Sequence, residues 1–160
     1  MLNLQIDFYS ILISLAAGLI STGVMTIIEI PFWKKWGITG ILEWHENQIL
    51  SSKYFRFSHP DSFLGILSLH FLNGSIGGLG LLLGLILIPY LINIHFLILG
   101  SIYGVFLCVF TLIPIHKSIT EINPFRHPLG IGPVIVSFIG HIFYGIMLIS
   151  LFIVVFIIRQ

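Results

Sequence analysis

Apolar residues fill four long blocks of this chain, 8–31, 61–88, 91–115 and 133–158, and polar residues collect between them. Crossing a hydrocarbon core of about 30 Å takes about 20 apolar residues in a helix. Each block is therefore long enough to span. Lipid offers no hydrogen bonds to bare backbone, so all four are predicted as α-helices. The expected fold class is an all-α integral membrane protein, a four-transmembrane-helix bundle forming a single domain over 1–160. Pro31, Pro60, Pro89 and Pro133 stand at block edges, where a missing N–H does little harm. Ser58-His59-Pro60-Asp61 reads as the start signal of the second span.

The connector between the first two blocks has a pattern of its own. Ile38, Ile41, Leu42, His45, Ile49 and Leu50 share one face at helical spacing, with Glu43, Glu46, Asn47 and Gln48 on the other. Trp33, Trp36, Trp44, Tyr54 and Phe55 are the amphipathic aromatics typical of headgroup depth. Residues 38–50 are predicted as an amphipathic helix lying in the cytoplasmic interface, its acidic face solvated. Lys34, Lys35, Lys53 and Arg56 flank it, and Lys117 and Arg126 lie in the other long connector, against Arg159 alone on the opposite side. The positive-inside rule then places both connectors in the cytoplasm and both termini outside.

Projecting each span at about 100° per residue gathers its small and polar residues onto one face. The first has Ser14, Gly18, Ser21, Thr22, Met25 and Glu29; the second His70, Asn73, Gly74, Gly77, Gly80 and Gly84. The third has Gly100, Gly104 and Thr111 with Cys108 at the edge, and the fourth Ser137, Gly140, His141, Tyr144 and Gly145. Small residues let backbones approach and polar groups avoid lipid, so these faces are expected to meet as a helix-packing seam. At about 1.5 Å per residue, Met25, His70, Cys108 and His141 fall near one level of the bilayer. His70-x-x-x-Gly74 is echoed by His141-x-x-x-Gly145, a weak internal similarity.

Composition sharpens the class. Hydrophobic residues make up 57% and charged ones 8%, far below the soluble average of about a quarter charged, and mean hydropathy is +1.09. A net charge of +1 has no nucleic-acid signature. One cysteine, Cys108, excludes an intrachain disulfide. The first apolar run lacks a basic leader and an Ala-x-Ala site, so it reads as a retained span.

Candidate chemistry is confined to the seam. Imidazole, thiol and thioether at one level can ligate copper (His70, His141, Met25, Cys108), and His70 with His141 can hold a haem iron axially. Against this, neutral imidazoles hydrogen-bonding Asn73, Tyr144 or Thr111 need no cofactor, and polar packing is the preferred reading of both histidines. Glu29, ionisable within a span, is a functional candidate by default, for proton relay or cation binding, but a structural pairing with Lys117, Arg126 or Arg56 is the preferred reading. His45 between Glu43 and Glu46 is read as part of a solvated face, and His59, His116 and His127 as helix-end groups. No phosphate loop, Gly-x-Ser-x-Gly or defensible Ser/His/Asp set occurs.

Gly18, Thr22 and Met25 in the first span, with Gly132-Pro133, Gly140-His141 and Tyr144-Gly145 in the fourth, resemble a loose class of small prokaryotic four-span proteins of unknown function. The connector Trp36-Gly37 through Glu43-Trp44-His45-Glu46-Asn47 is similar in flavour to proteins of ammonia-oxidising archaea. That resemblance implies an accessory subunit of a copper-dependent ammonia monooxygenase assembly, with the copper held elsewhere. The function expected first is an accessory subunit in a prokaryotic plasma membrane, with other integral-membrane subunits and the bilayer as partners and no nucleic acid. A haem- or copper-binding electron-transfer protein is the second expectation, and a small proton-linked transporter using Glu29 and His70 the third.

Overall fold

The computed structural model describes residues 7–54 and 63–158. The second span's start signal at Ser58–Asp61, together with Arg56, His59 and Arg159, lies outside them. The described residues are helical, with short turns and no strand. We number the helices α1 (Phe8–Trp36), α2 (Leu42–Tyr54), α3 (Phe63–Leu87), α4 (Phe96–Thr120) and α5 (Gly132–Ile158). Four of these, all but α2, are long and apolar enough to cross a membrane, which gives the chain the form of a multi-pass membrane protein.

α1 begins with a reciprocal cap: the Asp7 carboxylate accepts from Ser10 N at 2.7 Å, and Asp7 N donates to Ser10 Oγ at 3.0 Å. It runs five residues past Pro31, where the sequence suggested an edge. A proline inside a helix removes one backbone bond. The extension is held instead by packing, since Phe32, Trp33 and Trp36 close on Ile41, Trp44, Ile66 and Val136. Gly37 ends the helix at φ +73°, a value that favours glycine, and its N–H caps Trp33 O.

α4 is not uniform. Its central turn, Leu107–Leu112, widens to a π-helix immediately before Pro114. Pro114 has no N–H for the carbonyl one turn back, and the widened turn absorbs that mismatch.

Close packing runs α3–α1–α5–α4, so the helices form a row folded into an incomplete ring. Glycines set the spacing. A Cβ at Gly18 would strike the Gly74 carbonyl oxygen, and one at Gly78 the Ser14 carbonyl oxygen, at the α1–α3 contact. Likewise, a Cβ at Gly104 would strike His141 O, and one at Gly145 would strike Gly100 O, where α4 meets α5. α3 and α4 are joined by the short turn Pro89–Asn93. Near this turn, Leu81, Leu82, Leu85, Leu99, Leu148, Ile149 and Phe152 form the apolar core that holds their ends together. Further along, the two helices stand apart. α2 packs across that end of the ring, against α3, the second half of α4, and α5.

α2 differs from its sequence reading in extent and in setting. It starts at Leu42, after a 3₁₀ turn over Ile38–Gly40. Glu43, His45, Glu46 and Asn47 are buried together with Ile41, Leu42 and Trp44. The acidic face is therefore turned into the bundle, away from solvent. The solvated reading rested on the polar residues sharing one helical face, and the other helices make its burial tolerable by supplying hydrogen-bond donors.

Candidate functional site

A cavity of about 560 Å³ occupies the space between α3 and α4. Gly74, Gly77 and Gly80 line its α3 wall, where missing side chains leave room. Tyr103, Phe106, Leu107, Thr111, Leu112, Ile115 and Ile119 form the α4 wall. Thr22 and Met25 of α1, with His141 and Tyr144 of α5, form its back. The end closed by α2 is polar, with Glu43, Glu46, Asn47, His70 and Asn73. Ile76 and Phe106 on its walls are about half exposed, so the cavity opens sideways onto the apolar outer surface.

The polar end draws its groups from α1, α2, α3 and α5. Glu43 Oε2 accepts from Ser137 Oγ at 2.6 Å, and Ser137 Oγ in turn receives Leu42 N at 3.3 Å. His141 Nδ1 faces the Ser137 carbonyl at 2.8 Å and Glu43 Oε1 at 3.0 Å. Both neighbours are acceptors, so Nδ1 carries the hydrogen in this arrangement. The contact to Glu43 Oε1 has the poorer hydrogen-bond geometry of the two. Glu29 is fully buried and accepts from Trp44 Nε1 at 2.9 Å, while His70 Nε2 stands 3.7 Å from the same carboxylate. Gly140 makes this possible, because a Cβ there would come within 3.1 Å of Glu29 Oε1. Asn73 Nδ2 donates to Asn47 Oδ1 at 3.2 Å. Tyr144 and Tyr103 donate to the Gly74 and Gly77 carbonyls, at 2.6 and 2.5 Å, tying α5 and α4 to the glycine wall.

Several buried polar atoms here have no hydrogen-bond partner: Glu29 Oε1, His70 Nε2, Glu46 Oε2 and Asn47 Nδ2. Each such atom costs about 1–3 kcal/mol. Glu46, Asn47 and His70 line the cavity, so their unpartnered atoms can meet a ligand there, whereas Glu29, His45, His116 and His127 carry such atoms on residues that do not line it.

On α2, burial pushes the Glu46 carboxyl up to about 8, with the Glu43 charge adding to the effect. Burial acts on Glu43 too, but the His141 hydrogen bond and charge and the Ser137 hydroxyl outweigh it and hold Glu43 below the usual carboxylate range. The two carboxylates thus divide into an ionised Glu43 and a protonated Glu46 near neutral pH. His45 is pushed down to about 4 by burial and by the neighbouring His116 and His127. Its ring lies 5.5 Å from that of His116, whose Nδ1 meets the Leu42 carbonyl at 3.1 Å.

Of the four residues placed at one level by the sequence, Met25, His70 and His141 line the cavity, whereas Cys108 packs with Leu42, Leu112 and Val134 away from it. Among the described residues no group of three or more His, Cys, Asp or Glu is arranged to hold a metal ion. Gly18, Thr22, Gly74, Gly100, Gly104 and Gly145 sit at helix contacts, Gly77 and Gly80 face the tyrosine hydroxyls, and nothing lies within 4 Å of a Cβ built at Gly84. Asn73 is exposed to the cavity and not buried against another helix. Sequence reasoning passed over Gly78 and read Glu43, Glu46 and Asn47 as a solvated face, whereas the structure buries them at the cavity. No local signal marks the α2 residues: helical spacing puts Glu43, Glu46 and Asn47 on one face, and whether that face meets water or hydrogen-bond donors depends on residues far along the chain. In comparisons with known protein families, curated proteins and solved structures, the chain has no match.

Proposed function

We propose that this chain binds a small membrane-dissolved molecule in the α3–α4 cleft, as a proton-linked carrier does. The observation that carries the reading is the lateral cavity itself: apolar walls reached from the side, ending at a buried set of carboxylate, imidazole and amide groups. A pocket with apolar walls and a few convergent polar groups orients a ligand by its head. Ionisable groups inside a membrane domain mark substrate and proton pathways. Glu29 and His70 belong to this end, and so do Glu43, Glu46 and His141, which share one electrostatic neighbourhood.

Photolabelling with a diazirine-bearing decanol in lipid nanodiscs tests the reading. Saturable labels are expected on α4 around Thr111–Ile115 and on α3 around Gly74–Gly80. Labelling spread evenly over the outer surface, with no saturable component, contradicts it.

Complex membership is a separate proposal, motivated by the sparse sequence between the spans, and extends to an ammonia monooxygenase-type assembly. Native solubilisation with a co-purifying subunit supports it, and a stable monomer counts against it. The charge bias of the connectors supports a cytoplasmic α2 and external termini. A tag at Gln160 reached only from the cytoplasm overturns that orientation.

A further inference from the structure

The polar end of the cleft discriminates by charge. Glu43 and Glu46 line it, Glu29 stands behind His70, and among the described residues neither Lys nor Arg is in its lining. An anionic head placed there meets the carboxylates, while His141, whose charge would offset them, is already paired with Glu43. A cationic head meets the opposite field, and a cation leaving water needs such a partner. One atom argues for a cationic head independently of the charge count: Glu46 Oε2 is unpartnered on a residue that is 7% exposed and that lines the cavity.

Resting on the cleft reading, we propose that the ligand is a lipophilic organic cation, and that it seats against Glu46 by displacing one proton from that carboxyl. The exchange is balanced: a neutral Glu46 and a free cation become a carboxylate–cation pair and one released proton. The charge inside the bundle is the same before and after, so the step avoids adding net charge to a low-dielectric interior. Glu46 is suited to the part because Glu43 is already committed to Ser137 and His141. Among the described residues the titratable groups around this end are Glu43 and His45 on α2, Glu29 on α1, His70 on α3, His116 and Cys108 on α4, and His141 on α5. None of them is a fixed cation. The apolar walls of Phe106, Leu107 and Ile115 suit the hydrophobic body of such a molecule.

The probe is methyltriphenylphosphonium, whose charge does not depend on pH. Its binding to the full chain in nanodiscs is measured by titration calorimetry from pH 6 to 9, in two buffers with different ionisation heats. One proton is expected to leave per cation bound below pH 8, and the affinity is expected to rise about tenfold per pH unit up to about 8 and then level off. Glu46→Gln is expected to abolish proton release and the pH slope, and Glu46→Asp to restore both. Cation binding with no proton released, or an unchanged slope in Glu46→Gln, overturns the exchange. If the decanol probe labels the cleft saturably but the phosphonium does not bind, the charge assignment falls and the cleft reading stands. If neither enters, both fall.

Discussion

Between α1 and α3, Gly18, Gly74 and Gly78 bring two backbones into contact, with Thr22 and Ser14 filling the remaining space. Between α3 and α4, Gly77 and Gly80 lie one helical step away and do the reverse, leaving a wall with room beside it. A glycine closes a gap when a facing backbone advances into the space, and opens one when only a tyrosine hydroxyl reaches across. What differs is the partner. α1 offers Ser14 and Gly18, which carry little bulk, whereas α4 offers Tyr103, Phe106 and Leu107, which hold it off. A polar helix, α2, then closes the end of the gap, and the apolar core around Leu81, Leu85 and Leu99 holds the other.

The largest expected effect comes from breaking the closed side. Gly104→Leu or Gly78→Leu forces a side chain into a facing carbonyl, which is expected to cost the upper end of about 1–3 kcal/mol or prevent folding. Thermal unfolding in detergent reads this out. Ser137→Ala removes the hydroxyl donated to Glu43 and the acceptor of Leu42 N, with an expected loss of about 1.5–3 kcal/mol. The same unfolding measurement checks it.

On the open side, Ile115→Trp and Ile76→Trp add bulk to the cleft walls at exposed positions. Saturable photolabelling is expected to fall about tenfold, which corresponds to about 1.4 kcal/mol, with unfolding temperature unchanged. A fall in stability to match would place these residues in the packing and not in the cleft. The pH dependence is smaller. Glu46 holds its proton up to about 8 in the folded chain, above the ordinary value of about 4.3. The folded state therefore binds more protons than the unfolded state between those values. Its stabilising contribution is complete below the lower value and is lost as pH rises towards 8. His45, pushed down to about 4, acts in the opposite sense, adding stability as pH rises from about 4 to about 6.5. Comparing unfolding temperature against pH with Glu46→Gln isolates the first slope. Smallest of all, Gly84→Ala meets nothing within 4 Å and is expected to stay within about 0.5 kcal/mol.

The spans were legible because lipid leaves apolar sequence a single structural answer. The faces of α1 and α5 were legible too: Ser14, Gly18, Thr22, Glu29, Ser137, His141 and Tyr144 fall on one arc each, and all are buried. α3 was harder, because glycines run around more than one face, and periodicity cannot tell Gly78 against Ser14 from Gly80 beside a cavity. The acidic face of α2 was read as solvated, and the structure buries it. Helical spacing separates polar from apolar residues, but whether a polar face meets water or a set of donors depends on groups 26 to 94 residues away, such as Asn73 and Ser137. Such pairings leave no local trace.

Anomalous diffraction from crystals grown with 10-bromodecanol tests the cleft directly. The account predicts a bromine peak between α3 and α4, near Phe106, Thr111 and Ile115, with the hydroxyl directed to Glu46 and Asn47. Bromine confined to the outer surface of the bundle, with α3 and α4 closed on each other, would contradict it.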